Sequence, residues 1–220
     1  QARPDYPYAL QGLAKIHNAK GEVEAAIQKW LRAYDLAPDH AFMEALAPAY
    51  RATGQHATAE VLTESVLEAF RQHEAQGWNV NLEFARFCAE QNTHTEDALQ
   101  RIEREFARRP NHLDVLETYA WLLYRDNRPA EAAPLLERVL QTNPRNARLH
   151  YRAGMIDLRL GRPEQAQTHF ESALSIYPES AMAKRALQRL SSDRLRARLQ
   201  KTAPRQPAKA RSQKSLSKPT

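Results

Sequence analysis

The hydrophobic positions of this chain repeat with a period of 34 residues between Leu113 and Pro178. Pro110, Pro144 and Pro178 are each 34 residues apart and mark two full periods. Within these periods, two sets of mostly apolar or small residues occupy equivalent positions: Leu116, Tyr119, Ala120, Ala132, Leu136 and Val139 match His150, Ala153, Gly154, Ala166, Phe170 and Ala173. Such a period, with small residues at fixed places and a proline at its end, predicts a repeated pair of helices.

The same pattern extends in weaker form towards the N-terminus and predicts five helix pairs. The units cover about residues 7–38, 40–71, 79–110, 113–144 and 147–178. Pro38 and Pro110 are separated by four residues more than two periods, and Gly77 marks the expected break at this loosest joint. Pro48 lies inside the first helix of unit two, where it removes a hydrogen bond, so we expect a bend or a short helix there.

The C-terminal region divides into a helix and a tail. Residues 180–200 carry leucines at helical spacing among Lys and Arg, which predicts an amphipathic helix that caps the last repeat. Residues 201–220 contain three prolines and no aromatic residue, so they cannot bury enough surface to offset chain entropy. The predicted domains are therefore an array over 1–200 and a basic disordered tail over 201–220.

These motifs resemble the tetratricopeptide repeat (TPR) family, most strongly in units one, four and five. The stretches 114–124 (DVLETYAWLLY) and 152–156 (RAGMI) look like the C-terminal units of bacterial TPR proteins, many of unassigned function. The resemblance implies an all-α, right-handed superhelical solenoid of about five helix pairs plus a capping helix. It also implies a concave surface, lined mainly by the first helix of each pair, that holds a peptide or a partner's helix.

One subclass of the family, which binds the C-terminal carboxylate of chaperones, provides a test. Its members use Lys and Asn on one first helix and Lys and Arg two repeats later. The matching positions hold Gln11 and Lys15 in unit one but Glu83 and Phe87 in unit three. Because the sequence departs from this carboxylate clamp, we do not predict binding to a chaperone tail.

Aligning units three to five directs seven side chains towards the inner groove. They are Phe87, Trp121, Tyr124, Arg125, Tyr151, Met155 and Arg159. Aromatic residues, Met and Arg are enriched where partners bury their anchors, so we predict a partner-binding groove for an acidic or backbone-rich peptide. Packing of the same rings between helices is the structural alternative, and the sequence leaves both open.

The charge of the chain is concentrated at its C-terminal end. Residues 181–220 have a net charge of +11, whereas residues 1–180 have a net charge of −5. The alternative function is electrostatic binding to nucleic acid or an anionic surface, which without stacking aromatics would be non-specific and salt-dependent. A solvated tail that aids solubility or docks on an acidic partner is the simpler reading. The basic residues concerned are Arg194, Arg196, Arg198, Lys201, Arg205, Lys209, Arg211 and Lys214.

The motifs of the common enzyme and metal sites are missing from the sequence. It has one cysteine, Cys88, for which a buried inert thiol is favoured, and no HExxH spacing or phosphate-binding glycine loop. We therefore predict no catalytic residue, metal or cofactor, and a scaffold or non-catalytic subunit within a larger assembly.

No apolar run approaches the roughly 18 residues of a membrane span. The chain begins with Gln1. Its compartment stays open between the cytoplasm and, if a signal segment preceded Gln1, an exported or periplasmic location.

Overall fold

The computed structural model describes residues 6–142 and 144–202, with side chains up to Leu195. These residues form eleven α-helices and no strand, which confirms the predicted all-α class. The helices are α1 Pro7–Lys20, α2 Val23–Leu36, α3 His40–Ala52, α4 His56–Ala75, α5 Asn81–Gln91, α6 Thr95–Arg108, α7 Leu113–Arg125, α8 Pro129–Leu140, α9 Ala147–Arg159, α10 Pro163–Ile176 and α11 Ala181–Thr202.

The first ten helices pack as five consecutive antiparallel pairs, and α11 packs against α10. Each pair is closed by a short turn. In every turn, a residue one or two positions after the first helix adopts a left-handed backbone. Gly21, Gly161 and Asn127 take φ values of 83°, 72° and 60° in these turns. Pro129 and Pro163 then begin α8 and α10, where a missing backbone N–H costs little.

The joint between units two and three contains the extra residues that the proline spacing predicted. They extend α4 to Ala75 and form a turn in which Gly77 has a φ of 89°. Phe70, near the end of α4, packs edge-on against Phe84 and Phe87 of α5, with ring centroids 6.1 and 6.0 Å away. Aromatic packing thus joins the two units despite the interruption.

Pro48 does not shorten its helix as the sequence suggested it could. Helix α3 continues past Pro48 to Ala52 and has 13 residues, the same length as α7 and α9. Pro48 itself is exposed, while Ala47 and Ala49 beside it are buried. Tertiary packing on both sides of the proline therefore holds α3 in helical form.

The buried apolar residues form three clusters. One cluster joins α1, α2 and the inward side of α3, and includes Trp30 and Phe42. The largest cluster extends from Val66 in α4 to Ile156 in α9. A third, small cluster joins Ala166 and Phe170 of α10 to Ala186 of α11. The core boundary between the first two clusters thus lies inside unit two, between α3 and α4.

The array curves strongly enough for distant units to touch. The Tyr177 hydroxyl, just after α10, donates a hydrogen bond of 2.8 Å to the carbonyl oxygen of Ala19 at the end of α1. Arg152 of α9 reaches Glu90 of α5, although α7 lies between these helices. Units one and five are therefore neighbours in space.

The predicted tail, residues 201–220, lies outside the described residues except for Lys201 and Thr202, which end α11. Within the part of the chain that the structure describes, no helix combines the length and apolar character that crossing a membrane requires.

Candidate functional site

The seven predicted binding residues lie on α5, α7 and α9, and they differ widely in exposure. Phe87, Trp121 and Tyr124 are buried, at 4%, 6% and 6% relative exposure. Tyr151 and Met155 are half-buried, and Arg125 and Arg159 are exposed. We define the inner surface as the surface formed by α5, α7, α9 and α11. Of the predicted residues, its accessible part therefore comes mainly from those on α9 and from the arginines.

Trp121 and Tyr124 stack face to face, with ring centroids 4.7 Å apart and an interplanar angle of 9°. Three and four residues along a helix share one face, which brings these two rings together on α7. The guanidinium of Arg125 lies 4.9 Å from the indole centroid, and that of Arg159 lies 5.3 Å from the phenol centroid. The ring faces attract these cations, so the stack forms a platform that positions arginines above it.

Arg152 covers the same indole from the next unit, at 4.9 Å from the centroid. It donates a hydrogen bond of 2.7 Å to Glu117 of α7 and also hydrogen-bonds Glu90 of α5. Burial lowers the pKa of Arg152, and the charges of Glu90 and Glu117 oppose that shift. Two carboxylates near one buried guanidinium keep it charged and fix its orientation.

A cleft of about 270 Å³ lies between α9 and α11, and we call it the α9–α11 cleft. It has an apolar floor and two arginines at its rim, and no acidic residue lines it: the lining is Tyr151, Met155, Leu158, Met182, Arg185, Ala186 and Arg189. Arg185 and Arg189 are exposed and have no ion pair in the described part of the chain. Burial raises the pKa of Tyr151, so its hydroxyl remains a neutral hydrogen-bond donor at neutral pH.

A second cleft, of about 290 Å³, lies between α3, α5 and α9 and has mixed charge. Glu44, Arg86, Glu90 and Arg148 line it together with uncharged residues that include Phe87. Burial raises the pKa of Glu44 to about 7, although Arg86 pulls it down. The net charge of this cleft therefore depends on pH near neutrality.

The structure brings most of the predicted residues together but divides their roles. Trp121, Tyr124, Arg125 and Arg159 form one cluster, and Tyr151 and Met155 line the α9–α11 cleft. Phe87 lies apart in the mixed-charge cleft. The packing alternative noted from sequence thus describes the environment of the three buried rings.

Sequence reasoning missed the contribution of α11 to the inner surface. Met182, Arg185 and Arg189 belong to the helix that the sequence identified as a cap, yet they form one wall of the α9–α11 cleft. Their spacing of three and four residues along α11 puts them on one face. The unusual composition of that face, with an exposed Met beside Arg, was the available signal.

Cys88 is buried, and burial raises the pKa of its thiol to about 12. A thiol with such a pKa carries almost no thiolate at neutral pH, so it is inert as a nucleophile. Among residues 6–142 and 144–202, no three His, Cys, Asp or Glu side chains are arranged to hold a metal ion.

Two family models described as tetratricopeptide repeat match the chain. One matches residues 123–190, and the other matches residues 1–41 and 89–147. No curated protein matches the sequence.

Solved structures of tetratricopeptide repeat proteins match the fold over most of the chain. One, from Parabacteroides merdae, is 18% identical with a TM-score of 0.59, and the match covers 83% of this chain and 70% of that chain. Another, a thermophilic protein from Thermus thermophilus, is 18% identical with a TM-score of 0.57, covering 86% of this chain and 99% of that chain. At this level of identity, the similarity establishes the helical-repeat fold.

Proposed function

The chain belongs to the tetratricopeptide repeat family, and on that premise we propose that it is a non-enzymatic scaffold that binds a peptide or helix of a protein partner on its inner surface. The observation that carries this proposal is the α9–α11 cleft, where an accessible apolar floor lies beside two arginines that form no ion pair with any described residue. An occupant with an apolar anchor and acidic flanking residues complements this surface in both shape and charge.

The buried Trp121–Tyr124 stack supports the same surface indirectly. Its rings hold Arg125 and Arg159 at the rim of the inner surface, where both guanidiniums remain exposed. A partner therefore meets arginines that the stack has already oriented, which reduces the entropy lost on binding. In this arrangement the rings act as supports for the arginines, and the partner contacts Tyr151, Met155 and the guanidiniums.

Selection from a displayed library of short random peptides against the full chain tests the proposal. We expect the selected peptides to combine acidic residues with Leu, Met or an aromatic residue. Arg185→Glu and Arg189→Glu should each lower the affinity for a selected fluorescent peptide by about tenfold, because each reverses a charge at the rim. An anisotropy titration measures this affinity.

Arg104→Glu is the matched control, since Arg104 is an exposed arginine on α6, away from the cleft. Its affinity for the selected peptide should equal that of the original chain. Equal binding by all three variants, or failure of any peptide to be enriched, would overturn the proposal. Truncation of Trp121 or Tyr124 is a poorer test because both rings are packed in the core, so lost binding could follow from lost structure.

A further inference from the structure

A wide, shallow groove lies on the surface of unit two, away from the inner surface described above. Its volume is about 690 Å³, and its lining comes from α4 and from Met43 of α3. Val61, in the middle of the α4 sequence that faces the groove, is 67% exposed. A β-branched apolar residue so exposed on a helix, beside Met43 and Ala69, leaves apolar area uncovered. We call this surface the α4 groove.

Three glutamates border the α4 groove at intervals of four residues. Glu60, Glu64 and Glu68 therefore lie along one face of α4, over about 12 Å at 1.5 Å per residue. Glu68 pairs with Arg71 at 3.0 Å, and Glu60 lies 3.9 Å from Arg51, both in exposed positions. Such exposed pairs are weak and leave the carboxylates able to accept further hydrogen bonds.

We propose that the α4 groove binds the C-terminal segment of the same chain, residues 203–220. This segment contains five Lys or Arg residues and no acidic residue. Leu216 stands between Lys214 and Lys218, so a single apolar side chain is flanked by cations two residues away on each side. Leu216 covers the exposed Val61, and the lysines meet the row of glutamates.

Charge also decides which surface the segment avoids. The α9–α11 cleft carries Arg185 and Arg189 and no acidic lining residue, so it repels a basic segment. The α4 groove combines apolar lining with three glutamates and has no Lys or Arg among its lining residues. The same distribution leaves the α9–α11 cleft free for an acidic partner.

The extended segment is longer than α11 by about 13–17 Å. Helix α11 has 22 residues and is about 33 Å long, whereas residues 203–216 span about 46–50 Å when extended. The segment can therefore return along the whole of α11 to its start. That start is close to unit one, because Tyr177, just before α11, contacts Ala19, and unit one packs directly against α3. An intramolecular contact of this kind benefits from a high effective concentration.

Carbodiimide cross-linking of the full chain tests the proposal, because this reagent joins a lysine amine to a carboxylate only when the two are in contact. We expect mass spectrometry to find Lys214 and Lys218 joined predominantly to Glu60, Glu64 and Glu68. High salt should reduce the yield severalfold, since screening weakens exposed charge pairs.

Charge reversal supplies the matched variants. Glu64→Lys should reduce severalfold the yield of cross-links between the C-terminal segment and α4. Glu171→Lys, the same change at an exposed site on α10, should leave that yield unchanged. Combining Glu64→Lys with Lys218→Glu should restore a cross-link with the two groups exchanged. Val61→Asn should also lower the yield, because it removes the apolar contact without adding a carboxylate.

Two outcomes would overturn the proposal. One is a set of cross-links spread over acidic residues of the whole array, as a solvated polycation would give. The other is cross-links that join isotopically light to heavy chains in a mixed sample, which would make a second copy the occupant. Neither outcome bears on peptide binding at the α9–α11 cleft, so this proposal and the proposed function fail independently.

Discussion

The first two core clusters of the array are stabilised by different kinds of interaction. The cluster of α1, α2 and α3 depends on close approach of helices through alanines, with Ala14, Ala26 and Ala33 fully buried around Trp30. Polar contacts in this region, such as those of His17 with Glu22 and of His40 with Glu44, involve side chains about 30% or more exposed. Exposed pairs of this kind contribute little, so packing carries the N-terminal region.

The larger cluster, from α4 to α9, adds buried charged side chains that are held by specific partners. Glu105 of α6 has a fully buried side chain, yet it accepts hydrogen bonds from Asn79 at 2.7 Å and from Arg109 at 3.0 Å. Arg152 similarly connects α9 to α7 and α5. Charges at these depths require specific partners, so removing such a partner should cost more stability here than removing an exposed one in the N-terminal region.

Arg152→Ala should produce the largest loss of stability in the chain. The change leaves Glu117, which is 11% exposed, and Glu90 without their buried partner and removes the cation above Trp121. Breaking a buried pair by removing one member costs about 3–5 kcal/mol, measured as the free energy of unfolding in urea.

Arg148→Ala is the control for this change. Arg148 has the same charge and approaches Glu117 and Glu90 at 3.5 and 3.6 Å, but it is 52% exposed. We expect a loss below about 1 kcal/mol. Equal losses for the two arginines would contradict the distinction between buried and exposed pairs.

Substituting glycine by alanine compares packing in the two regions directly. A Cβ atom at Gly154 of α9 would lie 2.5–2.9 Å from three ring atoms of Phe170, which is completely buried. Gly154→Ala should therefore destabilise the chain by about 1–3 kcal/mol through overpacking.

Gly12→Ala in α1 is the matched change, because a Cβ there meets no atom within 4 Å. It should raise the free energy of unfolding by about 0.5–1 kcal/mol, since alanine is the better residue in a helix interior. Thermal unfolding followed by circular dichroism measures both variants. Loss of stability in Gly12→Ala would mean that a neighbour covers α1.

The two regions should also respond oppositely to pH. Burial alone raises the pKa of Glu105, but hydrogen bonds from Asn79 and Arg109 outweigh it and hold the pKa below its usual range. Its stabilisation is present above the unfolded pKa of about 4.3 and disappears as the pH falls through the lower folded value. Glu44 differs, because burial raises its pKa to about 7, so its stabilisation is present in acid and disappears as the pH rises through 7.

Glu44→Gln separates these effects. In urea unfolding between pH 4 and 8, this variant should lose the decline of stability towards neutral pH, because an amide does not ionise. The loss of stability in acid, which Glu105 contributes, should persist. An unchanged profile in Glu44→Gln would place the pKa of this carboxyl near its ordinary value.

The sequence predicted the scaffold well because local signals determine it. The 34-residue period and the break at Gly77 are short-range features, and both appear where the pattern placed them. Pro48 differs, because it does not produce the short helix that was one of its two expected effects. Its effect depends on packing beside it, which the local sequence does not contain.

The candidate site was harder to predict because it depends on contacts between units. The repeat register indicated that Trp121 and Tyr124 share a face, but it could not show that arginines from α9 cover their rings. Nor could it show that α11 forms a wall of the cleft. Exposure in a curved array depends on how far the helices of adjacent units converge, and this property emerges only when all the units pack together.

The contact between Tyr177 and Ala19 has a mechanical consequence. It joins unit five to unit one, so the curved array is closed at this point by a single hydrogen bond. A wide ligand that enters between units one and five must break this hydrogen bond, which has a net worth of about 0.5–1.5 kcal/mol. Because thermal motion breaks a bond of this strength often, the contact favours one spacing between the two units but does not block entry.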